Sequence, residues 1–226
     1  MKSNRLSWIL AAMTLFGCAE VGQVFDTAVS QATTPPVFFE NFEAPITTNY
    51  TVYRAGQSFT TQRNTWQVTA ASIDIANATA RHEVVAGDGT QLVDLAGSPG
   101  AGVMSTSFPT TPGQRYTLSF RYGRNNGIGA VAARARVQAI GTTTLLHVDL
   151  QHGAPTPFNS LQYFNMAFVA DSPSTTLRFS GLSEGVCGVT IDAIAVRGAA
   201  VAARNKPANT SPRDGARAAS LNRPPA

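Results

Sequence analysis

The 226-residue chain has 13% charged and 43% hydrophobic residues, with 19 Gly and 13 Pro, a balance that suits one domain of many short strands joined by tight turns. Its formal charge of +4 does not sit on the central part: from Cys18 through Arg197 ten Arg face twelve acids, a balance of −2, while Lys2, Arg5 and five bases after Arg197 supply the excess. A nucleic-acid-binding domain concentrates positive charge on its folded face, so that class is set aside, and no apolar run approaches the roughly 18 residues a spanning helix needs.

Residues 1–17 read as a secretion signal. Lys2 and Arg5 form its charged start, and Leu6 to Phe16 an apolar stretch too short to span. The segment closes Leu15-Phe16-Gly17-Cys18, which resembles the lipobox of bacterial lipoproteins, although Phe16 departs from the small or β-branched residue usual there. That resemblance implies acylation of Cys18, and Ala19-Glu20 after it implies the outer membrane of a Gram-negative host. Ordinary cleavage near Cys18 or Ala19 is the alternative and gives a secreted protein. Residues 18–36 are small and polar, end in Pro35-Pro36, and have the composition of a tether.

Val37 to Glu43 opens the domain as a strand, and Asn49 to Phe59 holds one or two more. Trp66-Gln67-Val68 and Ser72-Ile73-Asp74-Ile75 follow. Arg81 to Ala86 leads into the turn Gly87-Asp88-Gly89, after which Val93 and Leu95 take one face and Leu92 and Asp94 the other. With Val103 to Phe108 and Tyr116 to Tyr122, this stretch is expected to form a hairpin-like centre. Ala133, Ala135, Val137 and Ala139 alternate with Arg134, Arg136 and Gln138, and Leu146, Val148 and Leu150 alternate with His147, Asp149 and Gln151. Phe164, Met166 and Phe168 share one side, and Leu177 with Phe179 repeat the pattern. About ten such strands and no convincing helix predict an all-β sandwich over residues 37–198. Residues 199–226 carry no periodicity and read as a disordered basic tail.

The last strand is irregular. Val189 and Ile191 share one parity while Ile194 and Val196 share the other. For all four to face a core, the strand needs a β-bulge around Asp192-Ala193.

Asn41-Phe42-Glu43, Trp66-Gln67-Val68, Gly87 to Gly97, Pro112 to Phe120 and Val189 to Val196 occur in that order. The series resembles the DUF642 and choice-of-anchor C families of secreted and cell-surface proteins, across residues 37–198. Ala193 stands where Asn usually follows the Asp, and Val186-Cys187-Gly188 where Pro or another small residue is common. The resemblance implies a galactose-binding-domain-like jelly roll acting as a non-catalytic carbohydrate-binding module, with a surface or wall polysaccharide as partner and the membrane touched through the lipid anchor alone. The competing class is a structural or adhesive surface protein that binds protein partners. The resemblance also implies a structural calcium ion held by Glu43 and Asp192, with backbone carbonyls completing its oxygens. The plainer alternative is that both acids satisfy turn amides or an Arg.

For sugar contact the exposed-aromatic candidates are Tyr50, Tyr53 and Tyr163, with Trp66 read as core. Arg121, Arg134, Arg136, His147, Asp149 and Gln151 fall on the polar parity of their strands and would form one polar face if those strands are neighbours; a plain solvated face is the alternative. No enzyme is expected. There is no Gly-x-Ser-x-Gly elbow, His-rich metal spacing or phosphate loop, and His147 and Asp149, flanking Val148, read as a surface pair. Cys187, without a partner if Cys18 is acylated, reads as a small buried residue; a Cys18–Cys187 disulfide is the alternative.

Overall fold

The computed structural model describes residues 35–127, 132–153, 156–157 and 159–199. The signal, Cys18, most of the tether and nearly all of the tail lie outside the described residues. Among those described there are thirteen strands and no helix. They are β1 Phe38–Glu40, β2 Tyr50–Arg54, β3 Ser58–Thr60, β4 Thr65–Ala70, β5 Ser72–Asn77, β6 Gln91–Asp94 and β7 Val103–Pro109. Then follow β8 Arg115–Arg124, β9 Ala133–Ile140, β10 Thr144–His152, β11 Gln162–Val169, β12 Ser174–Gly181 and β13 Val189–Gly198.

Two antiparallel sheets pack face to face as a jelly-roll sandwich. The seven-stranded sheet runs β11-β8-β13-β6-β5-β2, with β1 on β13, and the six-stranded sheet runs β10-β9-β12-β7-β4-β3. Alternating side chains build the core between them. Ala133, Ala135, Val137 and Ala139 of β9 and Leu146 and Leu150 of β10 point inward, while their polar neighbours point out. Trp66 is fully buried among Phe38, Phe42, Phe59 and Phe179. It belongs to the core, where its edge also meets a buried acid: Nε1 donates to Glu40 Oε2 at 3.0 Å.

The hairpin-like centre is corrected. β6 and β8 lie in the seven-stranded sheet and β7 in the six-stranded one, so no two of the three pair. The chain changes sheet after β6, where Gly102 donates to the Leu95 carbonyl at 2.8 Å. Gly102 passes so near Ser72 that a Cβ on it would stand 2.3 Å from the Ser72 oxygen, so the crossing requires a residue without a side chain.

The centre is instead β13. It pairs with β8 along one edge, and on the other with β6 near Thr190–Ile191 and with β1 near Ile194–Val196. Its register shifts between Asp192 and Ala195, and Ala193 takes φ 52°. This is the expected bulge. It turns Val189, Ile191, Ile194 and Val196 all into the core.

Candidate functional site

The outer face of the seven-stranded sheet carries a cavity of about 640 Å³ over β5 and β6, within the size range of ligand sites. Ile73, Ile75, Val93 and Leu95 face the core, so Asp74, Ala76, Leu92 and Asp94 face outward. Leu92 and Ala76 are covered by Val84 from the β5–β6 connection. That connection folds back through Arg81 N to Asn77 O at 2.9 Å and Val84 N to Arg81 O at 3.1 Å. Tyr50 of β2 stands opposite Ala76, and Arg81 lies over its ring at 5.0 Å while also pairing with Glu83. The far wall is Asn125 to Gly127 with Val186 and Cys187, fixed by Asn125 N to Gly188 O and Asn126 N to Glu83 O, each 2.9 Å.

Asp74 and Asp94 are the acids of this wall. They are direct partners across β5 and β6. Asp94 is 1% exposed and fully hydrogen-bonded: Asn125 Nδ2 donates to Oδ2 at 2.8 Å, and Ala96 N and Gly188 N donate to Oδ1 at 2.9 and 3.1 Å. Burial nonetheless outweighs these donors and pushes its carboxyl up to about 7, with the Asp74 charge adding to the rise. Asp74 is pushed up to about 6, also by burial, with Arg81 and Arg54 opposing. Its Oδ1 is buried against Gly97 with no hydrogen-bond partner. Cys187 is half-buried rather than fully enclosed. Burial, and then the Asp94 charge, push its thiol up as well, which keeps it protonated and unreactive.

Glu43 and Asp192 converge on one turn, from opposite ends. Glu43 Oε1 accepts from Thr90 N at 2.8 Å and Gln91 N at 2.6 Å, and Oε2 from Thr90 Oγ1 at 3.0 Å. Asp192 Oδ2 accepts from Gly87 N at 2.7 Å and Asp88 N at 2.8 Å, and Oδ1 from Ala193 N at 2.7 Å. Gly89 sits between them at φ 65°, with a would-be Cβ 2.5 Å from the Glu43 carboxylate. All four oxygens thus hold N–H or O–H donors, so both acids anchor this turn. Among the described residues no three His, Cys, Asp or Glu side chains gather as a metal site.

The remaining sugar-contact candidates divide between the two faces of the sandwich. Tyr50 lines the cavity. Tyr53, on the opposite parity of β2, packs on Phe59 at the core edge, ring centroids 4.8 Å apart. Arg121 and Tyr163 pair across β8 and β11, the guanidinium 5.9 Å from the ring centre. Arg134, Arg136, His147 and Asp149 lie on β9 and β10 of the other sheet. A single polar face including Arg121 is therefore corrected: the chain changes sheet between β8 and β9. Arg136 grips Asp149 through Nε and Nη2 at 2.7 and 3.0 Å, holding its carboxyl below the usual range, and His147 stands 3.8 Å from the same acid.

Asp74, Asp94, Glu83, Asn125 and Asn126 were not among the sequence-based candidates. The signal for two of them was in the sequence: an Asp set between apolar neighbours, Ile73 and Ile75 around Asp74 and Val93 and Leu95 around Asp94. Both are buried, or nearly so, only because a loop roofs the outer face.

No protein-family profile matches the chain, and no curated protein matches it. Among solved structures, the chain is similar to TmCBM61 in complex with β-1,4-galactotriose, at 10% identity over 70% of this chain and 94% of that one, TM-score 0.48. It is similar to the CBM22-1 xylan-binding domain of Paenibacillus barcinonensis Xyn10C, at 11% identity over 74% and 97%, TM-score 0.42. It is also similar to a family 35 carbohydrate-binding module from an environmental isolate, at 16% identity over 71% and 93%, TM-score 0.42.

Proposed function

We propose that the protein is a non-catalytic glycan-binding module whose sugar site is the cavity over β5 and β6. One observation carries the reading: Tyr50, Asp74, Asn125 and Asn126 line a single concave site. An aromatic face suits the C–H side of a sugar ring, while carboxylate and amide groups accept from and donate to its hydroxyls. The non-catalytic part rests on Asp94. A glycosidase needs two carboxyl groups free to reach the scissile bond, whereas of the three acids lining the cavity Asp94 is buried with both oxygens engaged at home and Glu83 is paired with Arg81, which leaves Asp74 alone. Export and acylation at Cys18 complete the proposal and put the module on the cell envelope.

Glycan-array and calorimetric binding to the full chain test it. Tyr50→Ala and Asp74→Asn are each expected to weaken glycan binding at least tenfold, with no reducing ends released from the bound glycan. A second reading, adhesion to a protein, draws on β11, the edge of the seven-stranded sheet, which exposes Tyr163, Met166 and Val169. A silent array with a protein captured through β11 would favour that reading.

A further inference from the structure

The outer face of the six-stranded sheet has an organisation of its own. The register aligns one polar residue from every strand in a single row: His147 opposite Gln138, Gln138 opposite Arg178, Arg178 opposite Ser105, Ser105 opposite Gln67, and Gln67 opposite Ser58. Strands stand about 4.8 Å apart, so the row is a ladder of hydrogen-bonding groups roughly 24 Å long. Beside its β9–β10 end lies the pair Arg136–Asp149 with Arg134.

The charge on this sheet is one-sided. Its six strands contain Arg134, Arg136 and Arg178 and a single acid, Asp149. Arg136 occupies both oxygens of that acid, and among the described residues neither Arg134 nor Arg178 forms an ion pair of its own. None of the large hydrophobic side chains that the protein exposes lies in these strands. A protein interface has an apolar, often aromatic centre, a single-stranded nucleic acid needs aromatic stacking platforms, and an interfacial membrane contact needs an apolar face to insert. This face offers none of the three. It offers regularly spaced donors and acceptors with a modest positive charge.

We propose that this face binds an extended acidic polysaccharide across its strands, Arg134 and Arg178 meeting sugar carboxylates and the row from His147 to Ser58 meeting hydroxyls. The proposal deepens the glycan-binding reading by adding a second site with a defined ligand class, on the face opposite the cavity.

Affinity electrophoresis of the full chain in gels containing polygalacturonate, with uncharged dextran as the comparison, tests it. Retardation is expected in polygalacturonate and not in dextran, weakening steeply with salt. Arg178→Glu and Arg134→Glu are each expected to weaken it at least tenfold. Tyr50→Ala should leave it unchanged, so this site and the cavity fail independently. Bases after Arg197 also attract polyanions, and retardation that survives both charge reversals would assign the binding to them and overturn the proposal. No retardation at low salt would also overturn it. So would equal binding to phosphatidylglycerol vesicles lost in the same two variants, since the face would then read charge alone.

Discussion

Asp74 and Asp94 face each other directly across β5 and β6 on the outside of the seven-stranded sheet. Both are drawn out of water, so each holds its proton to a higher pH than a free carboxyl, and the Asp74 charge adds to the rise at Asp94.

That relationship sets a pH dependence. The unfolded chain releases these protons near the ordinary value of 3.8, while the folded protein holds them to about 6 at Asp74 and about 7 at Asp94 and Asp192. Between those limits the folded state binds more protons than the unfolded state, so stability falls as pH rises. The melting temperature is expected to be higher at pH 5 than at pH 8, and Asp94→Asn should flatten the difference. A melting temperature that rises from pH 5 to pH 8 would contradict the burial of these acids. Asp171 acts with the opposite sign: threonine donors hold it down to about 2, so its contribution is lost only in strong acid.

Glu40 is the most heavily used acid of the core edge. It is 3% exposed and accepts from Thr61 Oγ1 at 2.7 Å, Asn64 Nδ2 at 2.8 Å, Trp66 Nε1 at 3.0 Å and Phe42 N at 3.0 Å. Glu40→Ala leaves several buried donors without a partner, at about 1–3 kcal/mol for each. A loss of about 3–5 kcal/mol is expected in denaturant unfolding, with Glu40→Gln recovering part of it. A loss below about 1 kcal/mol would show that water replaces the carboxylate.

Chelation distinguishes turn anchors from a shared calcium ion at Glu43 and Asp192. With amides and a hydroxyl as their ligands, the melting temperature should not respond to chelator, while Asp192→Ala and Glu43→Ala lower it with or without calcium. A chelator-induced drop, restored by calcium and absent in Asp192→Ala, would assign both carboxylates to the ion.

Acylation is tested by metabolic labelling. A palmitate analogue is expected to mark the wild-type protein and not Cys18→Ser. A mature N-terminus beyond Cys18, with no label, would make the protein a secreted one.

Local alternation makes the strands and their inward faces legible in the sequence. The alanines of β9, the aromatics of β11 and β12 and the bulge at Asp192-Ala193 each follow from side-chain parity within a few residues. Pairing between distant strands leaves no such local mark. Nothing in Arg121 and Arg134 records that their strands belong to different sheets, and nothing in Asp74 records that Asp94 will stand opposite it. The cavity is hidden from the sequence for the same reason. Its walls come from β2, from the β5–β6 connection, and from the segments that end β8 and precede β13, four stretches that only the completed topology brings together.

Among the described residues β13 is the last strand in sequence, yet it lies between β8 and β6 in space. Until it is in place, β11 and β8 share no hydrogen bonds with β6, β5 and β2, and neither part makes a whole sheet. A nascent chain emerging N-terminus first therefore cannot close the sandwich before residues 189–198 are available. Its slow step is expected to be the insertion of this strand, a contact of long sequence separation. Under the proposed export, the same order of events keeps the chain threadable until its final strand arrives.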